Sequence, residues 1–288
     1  MPICLNWTKI LPAWWILIGF LPVGGMAQPI RGTVLDKTTG QPVVYAHVGI
    51  TGKNAGTITN AEGFFSLSAK SIRRGDTLRI SMLGYEPLDF LIPASLPDTS
   101  SLRLEIQPTA YELPAVTFFP KGKQQQTGAR EDDLLADVWG AGGVANGEEL
   151  GRLFRVPPGR AIRIDTCFLH LRRNHGDSLL FRLNLYQLKG ENPGRPLLDH
   201  DVRFQVKPGE NEAEDGWVTI PLVAEQLVLD QDFLLTIELL RNWTGFGFQP
   251  IFVSLARGKE PAFIRQSSQA PWIMHGDQPF AFRLSVTY

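Results

Sequence analysis

Cysteine is almost missing from this sequence. Two occur in 288 residues, Cys4 and Cys167, so a disulfide framework is excluded as the source of stability. Charge of one sign is missing too. Lysine and arginine number 28 against 29 aspartate and glutamate, a net of −1, which leaves no global field to draw nucleic acid or an anionic surface. The motifs that carry nucleophilic chemistry are absent: there is no Gly-x-Ser-x-Gly elbow and no Ser-x-x-Lys pair. The five histidines, His47, His170, His175, His200 and His275, are scattered, and none opens a His-x-x-Glu or His-Glu-x-x-His pattern. No zinc site, and no site for any other metal or cofactor, is legible.

Long apolar runs are scarce as well, and the exception stands at the start. Lys9 precedes "ILPAWWILIGFLPV", which closes in "GGMAQP" with Gly25 and Ala27 at cleavage-site spacing. Residues 1–27 read as a signal peptide. The run is shorter than the roughly 20 residues a spanning helix needs and is broken by Pro12, Gly19 and Pro22, so an uncleaved anchor is the lesser reading. Cleavage would remove Cys4 and leave Cys167 as the one thiol. With Gln28 at the cut, no lipid-anchor cysteine follows, and the chain is expected to be exported, to periplasm, outer-membrane surface or medium.

From Ile30 onward, short alternating segments are separated by turn chemistry, with no sustained helical period. In "VYAHVGI", Val44, Ala46 and Val48 share a face opposite Tyr45 and His47. Asn60 and Gly63 in "GTITNAEGFFSL" suit a tight turn. In "GDTLRISMLGYEPL", Leu78, Ile80 and Met82 point one way and Thr77, Arg79 and Ser81 the other. Gly84 then relaxes the backbone, Tyr85 folds over the core edge with its hydroxyl in water, and Pro87 ends ladder donation.

Taken in order, "IRGTVLDKTTGQPVVYAHV", "GTITNAEGFFSL" and "GDTLRISMLGYEP" resemble the carboxypeptidase-regulatory-like, transthyretin-like domain abundant in Bacteroidota envelope proteins. The resemblance covers most of Ile30 to Leu104. It implies a seven-stranded Greek-key sandwich without an active site of its own, often leading outer-membrane receptors or exported enzymes. The segment after it, about 170 residues, is too short for the strands of a large receptor barrel.

Residues 116–151 change character. "FFPKGKQQQTGARED" reads as an exposed connector, and "REDDLLADVWGAGG" suits one or two helical turns with acids near the N-terminal end of the dipole. Glu131, Asp132 and Asp133 are consecutive, whereas calcium ligands alternate along a loop, so a solvated face is expected there. From residue 152 to 288 strands return, about seven or eight of them, as a jelly-roll-like second sandwich. "AIRIDTCFLHL" changes its buried parity near Asp165, which marks a bulge. The string "FRLNLYQLKGENPGRPLLDHDVRF" is similar to an uncharacterised β-sandwich segment that follows the same accessory domain in other exported proteins, and it implies no activity.

The whole is therefore expected to be all-β, two sandwiches at 28–115 and 152–288. Cys167, between strand neighbours, reads as a core filler. Asp199 and Asp201 beside His200, and Asp230 and Asp232 at a turn, have ordinary structural explanations and little claim as catalysts. Trp243, Phe246, Phe248 and Trp272, in Gly- and Pro-containing segments at strand ends, are the candidate ligand-binding residues, their rings suiting a sugar face or a partner surface. The expected function is a non-catalytic envelope or cell-surface binding module whose partner is a glycan or an envelope protein. The alternatives are a secreted glycan or peptide hydrolase, signalled by carboxylates or metal ligands that converge only in space, and a structural docking component.

Overall fold

A computed structural model describes residues 29–68, 70–93, 101–109, 122–141, 147–173, 178–207, 215–243 and 251–288. The signal-peptide expectation at 1–27, and Phe246 and Phe248, lie outside these residues. Among the described residues there is no α-helix, and no helix is long and apolar enough to cross a membrane. The fold is all-β.

The first sandwich is built from β1 (Ile30–Asp36), β2 (His47–Ile50), β3 (Gly56–Ile58), β4 (Phe64–Leu67), β5 (Thr77–Ser81), β6 (Leu88–Leu91) and β7 (Ser101–Ile106). A three-stranded sheet, order β4-β1-β7, faces a four-stranded sheet, order β3-β2-β5-β6, which makes the seven strands expected. Val34, Val48, Phe65, Leu78, Ile80 and Ile106 fill the space between them. Asn60 organises its turn by accepting backbone N–H bonds from Glu62 and Phe64. Two details differ from the alternation in the sequence. Tyr45 adopts φ 57°, so the chain turns there, β2 starts only at His47, and Val44 and Tyr45 leave the strand. The Tyr85 hydroxyl donates to Asp36 Oδ2 at 2.9 Å instead of remaining in water.

The second sandwich comprises β8 (Gln124–Gly128), β9 (Leu134–Ala141), β10 (Glu149–Phe154), β11 (Ile162–Arg173), β12 (Ser178–Lys189), β13 (Asn192–Pro196), β14 (Val202–Val206), β15 (Trp217–Pro221), β16 (Val228–Leu229), β17 (Phe233–Trp243), β18 (Ile251–Ala256), β19 (Ala262–Arg265), β20 (Ile273–His275) and β21 (Phe282–Thr287). They form two seven-stranded sheets, so the count exceeds the seven or eight read from periodicity. One sheet runs β13-β12-β17-β10-β19-β20 with β14 also on β12. The other runs β8-β21-β11-β18-β9 with β15 and β16 also on β11. Phe181, Phe233, Phe282, Leu169 and Cys167 lie in the core between them. Burial pushes the Cys167 thiol up to about 12, in keeping with a core filler. The bulge falls where parity changes: the β11–β21 register shifts between Ile164 and Thr166. Asp165, buried there, accepts from Arg163 Nε at 2.8 Å and Thr287 Oγ1 at 2.6 Å.

The connector expected at 116–151 is corrected by the strands within it. β8 pairs with β21, and β9 with β18, so this stretch supplies edges of the second sandwich. In place of helical turns there is one 3-10 turn, Glu131–Asp133, held by a bond from Arg130 N–H to Asp133 Oδ2. "QQQTG" concealed a strand because an edge strand bonds through its backbone while Gln124, Gln125 and Gln126 stay exposed, which leaves no apolar period to read.

Candidate functional site

Strand β17 places the site. Phe233, Leu235, Ile237 and Leu239 face the core between the sheets, yet Leu234, Thr236, Glu238 and Leu240 on the opposite face are buried as well. A strand buried on both sides belongs to a sheet covered on both sides, and over part of this sheet the cover is the first sandwich. Tyr45 and Ile58 of the first sandwich pack with Leu240 and Leu180 of the second. The turn at Ser267–Gln269, following β19, lies against β2 and β3. A Cβ on Gly56 would stand 2.1 Å from the Ser268 carbonyl oxygen and one on Gly49 2.3 Å from it. Only glycine permits that approach of backbone to strand. Polar bonds fasten the same contact: Asn54 Nδ2 to Gln266 Oε1 at 2.7 Å, Ser267 Oγ to Asn54 Oδ1 at 2.9 Å, and Gln269 Nε2 to Ser81 Oγ at 2.8 Å.

Two fully buried carboxylates, Glu149 and Glu238, lie in this interface. Glu238 Oε1 accepts from His47 Nε2 at 2.8 Å and Glu238 Oε2 from Arg182 Nη1 at 3.0 Å. Arg182 reaches Asp201 Oδ1 at 2.6 Å and the Tyr45 carbonyl at 2.8 Å, so one guanidinium ties β12, the segment before β14 and the first sandwich together. Glu149 accepts from Arg265, from Tyr186 OH and from Thr236 Oγ1 at 2.8 Å. Burial alone would raise the Glu238 carboxyl, but His47 and Arg182 outweigh it and hold it well below the usual carboxylate range. Burial holds the His47 imidazole below its ordinary value despite Glu238, with Arg182 and Arg265 pushing the same way. Burial, then the charge of Glu238, raises the Tyr186 hydroxyl, which stays protonated as a donor.

His47, Glu149 and Glu238 bring their ligand atoms within 4.8 Å of one another, close enough to hold a metal ion. The sequence showed no such site because His47 and Glu238 are 191 residues apart and share no motif. The one available signal was the lone glutamate in "FLLTIELL", where every other residue except Thr236 is apolar, since a charge so buried needs a partner. Two guanidiniums already neutralise the two carboxylates, so a divalent ion would add uncompensated charge in a buried place.

Above this network a cavity of about 600 Å³ opens between the sandwiches. Its walls include Met82, Leu83 and Tyr85 from the first and Asn184, Leu198 and Asp201 from the second. Gly84, at φ 83°, makes the turn before Tyr85, and both residues line the cavity. The "LGYE" ending thus contributes a wall of the cavity as well as the end of a strand.

Among the residues expected to bind ligand, Trp243 ends β17 and its side chain is outside the described set, as are Phe246 and Phe248. Trp272 is half-buried, with its ring edge on Tyr186 and the Arg265 guanidinium over its face, 4.9 Å from the centroid. It adjoins the carboxylate network without lining the cavity. Of the other acidic residues weighed, Asp199 and Asp232 are paired within the protein. His200 Nδ1 and Nε2 each lie 2.5 Å from a carboxylate, of Asp199 and Glu225, while Asp232 caps Val156 N–H and pairs with Arg155. His170 contacts Ser254 Oγ at 2.7 Å, but this serine is fully buried and its partner's Nε2 bonds the Asp215 carbonyl, so the pair serves packing.

The comparisons with known proteins fall on the first sandwich. The CarboxypepD_reg-like domain family matches residues 30–118. A TonB-dependent receptor, SusC of Bacteroides thetaiotaomicron, is 42% identical over 79 residues, which are 27% of this chain and 8% of the receptor. The chain thus matches a small fraction of that curated relative's length. With its two facing sheets, its Asn60 turn and its Gly84-Tyr85 corner, the segment from residue 30 to residue 118 belongs to the carboxypeptidase-regulatory-like domain family.

Proposed function

We propose that this chain is a non-catalytic binding module of the cell envelope, and that it takes its ligand in the cavity between its two sandwiches. The observation that carries the reading is the construction of that cavity: both sandwiches supply walls, and a buried ion-pair network fixes their relative position. A cleft at a domain junction, largely preformed and with a few converging polar groups, is the usual form of a small-molecule site. The match of the first sandwich to part of a TonB-dependent receptor supports an envelope setting. The first sandwich then acts as half of a binding site, beyond leading the domain after it.

The test fills the cavity from its rim. Gly194 is exposed and lines the cavity on β13; a Cβ there would lie 3.1 Å from the Gln187 carbonyl oxygen, a tight contact that the edge strand must relieve by a few tenths of an ångström, so Gly194→Trp adds bulk at the mouth and its fold is checked by circular dichroism. Envelope extracts and glycan arrays are screened with the wild-type chain and this variant. Ligands lost on Gly194→Trp support the reading; capture unaffected by it removes the cavity from the function.

The convergence of His47, Glu149 and Glu238 favours one other reading, a metal-assisted hydrolase. Zinc, manganese or calcium added to the metal-stripped chain should leave its unfolding midpoint unchanged if Arg182 and Arg265 keep the carboxylates. A rise abolished by Glu149→Gln would move the assignment to that class.

A further inference from the structure

We infer that the ligand of this cavity is an uncharged, hydroxyl-rich ring compound, that is, a neutral saccharide; the inference rests on the cavity reading above. The first observation is charge. Each charged group on the cavity wall already has its counter-charge in the protein. Arg79 meets Asp89 at 3.1 Å, Arg182 meets Asp201 at 2.6 Å and Glu238 at 3.0 Å, and Arg265 meets Glu149. His200 lies between Asp199 and Glu225, and Asp201 also has Arg203 at 3.1 Å. A charged ligand would give up its water and find no free opposite charge, and at Arg182 and Arg265 it would have to break a pair whose other member is fully buried. An uncharged donor-acceptor ligand meets no such penalty.

The second observation is the shape of the apolar wall. Tyr85 is among the residues lining the cavity, and the bond from its hydroxyl to Asp36 fixes the orientation of its flat ring. Such a face suits the C–H side of a sugar ring. Asn184, Gln269 and Asp201 add amide and carboxylate side chains to the lining. Strand addition by a peptide, the obvious rival, is disfavoured where the cavity borders an edge strand. β13 reads Asn-Pro-Gly-Arg-Pro, so Pro193 and Pro196 withhold two of its N–H donors.

The experiment titrates the full chain by calorimetry with neutral di- to hexasaccharides of glucose, galactose and mannose, their uronate-bearing counterparts, and a neutral decapeptide. Expected is binding by a neutral saccharide, weakened about tenfold or more when a uronate replaces a neutral sugar, and lost in both Gly194→Trp and Tyr85→Ala. Circular dichroism and the unfolding midpoint establish that each variant is folded, and Tyr85→Phe, which keeps the ring but loses the bond to Asp36, binds more tightly than Tyr85→Ala and more weakly than the wild type. A uronate or peptide that binds better and is blocked by Gly194→Trp overturns the inference while the cavity reading stands. Saccharide binding indifferent to both variants, or no binding by any probe, overturns the inference, and indifference to Gly194→Trp overturns the cavity reading with it.

Discussion

Glu238 shows how much one side chain decides. Its carboxylate is fully buried, and its charge is tolerable only because Arg182 and His47 bond it. Glu238→Gln leaves the buried Arg182 guanidinium with Asp201 as its remaining counter-charge, and should lower unfolding free energy by about 2–4 kcal/mol, near or below the cost of breaking a buried pair outright. Urea unfolding measures this. The double variant with Arg182→Met should cost less than the sum of the two single losses, because the members of one network couple. Two histidines should respond to pH with opposite signs. His47 has a folded pKa below its ordinary value of 6.5, so the stability tied to its neutral form is present above 6.5 and lost as pH falls through the lower folded value. For His200, burial works against the charge, but the bonds to Glu225 and Asp199 outweigh it and raise its pKa. Its contribution is present below 6.5 and lost as pH rises through the folded value. The stability gap between wild type and His47→Gln should therefore shrink from pH 8 to pH 5, while the gap to His200→Gln should grow over the same range. Equal slopes for the two variants would contradict the assignment.

At the scale of elements, the decisive contact is the turn after β19 against β2 and β3. Gly49 and Gly56 carry no signal in the sequence beyond the general weakness of glycine in a strand. Their purpose depends on a carbonyl of the other sandwich, which no local pattern announces. Gly56→Val should place methyl groups into the Ser268 backbone and cost about 1–3 kcal/mol by overpacking. It should also loosen the two sandwiches, which limited proteolysis of the native protein would read as faster cleavage between residues 107 and 124. Unchanged cleavage would mean that this turn does not hold the contact. The strands with one wet face were legible, as β5 shows: Leu78 and Ile80 alternate inward as read. β8 and β9 were not, because an edge strand and a strand following an acidic turn carry their pairing in the backbone and not in a side-chain period. The turn at Tyr45 was hidden for another reason. Its positive φ belongs to a tyrosine, a residue that gives no turn signal.

On the scale of the whole molecule, two sandwiches that share a buried ion network and an apolar cluster should unfold as one. Calorimetry is expected to show a single transition whose van't Hoff and calorimetric enthalpies agree, with the network variants splitting it in two. Two transitions in the wild type would show that the interface contributes little. The amino-acid order by itself determined the all-β class, the family of the first sandwich and the role of Cys167, since strand alternation, turn residues and burial of a lone thiol are local properties carried by neighbours in the chain. Tertiary structure alone decided where the candidate site lies. His47, Glu149, Arg182 and Glu238 are distant in the chain and each is unremarkable in its own strand. What makes them a site is the loss of water when one sheet covers another, because in that low-dielectric junction every charge must find its partner in space.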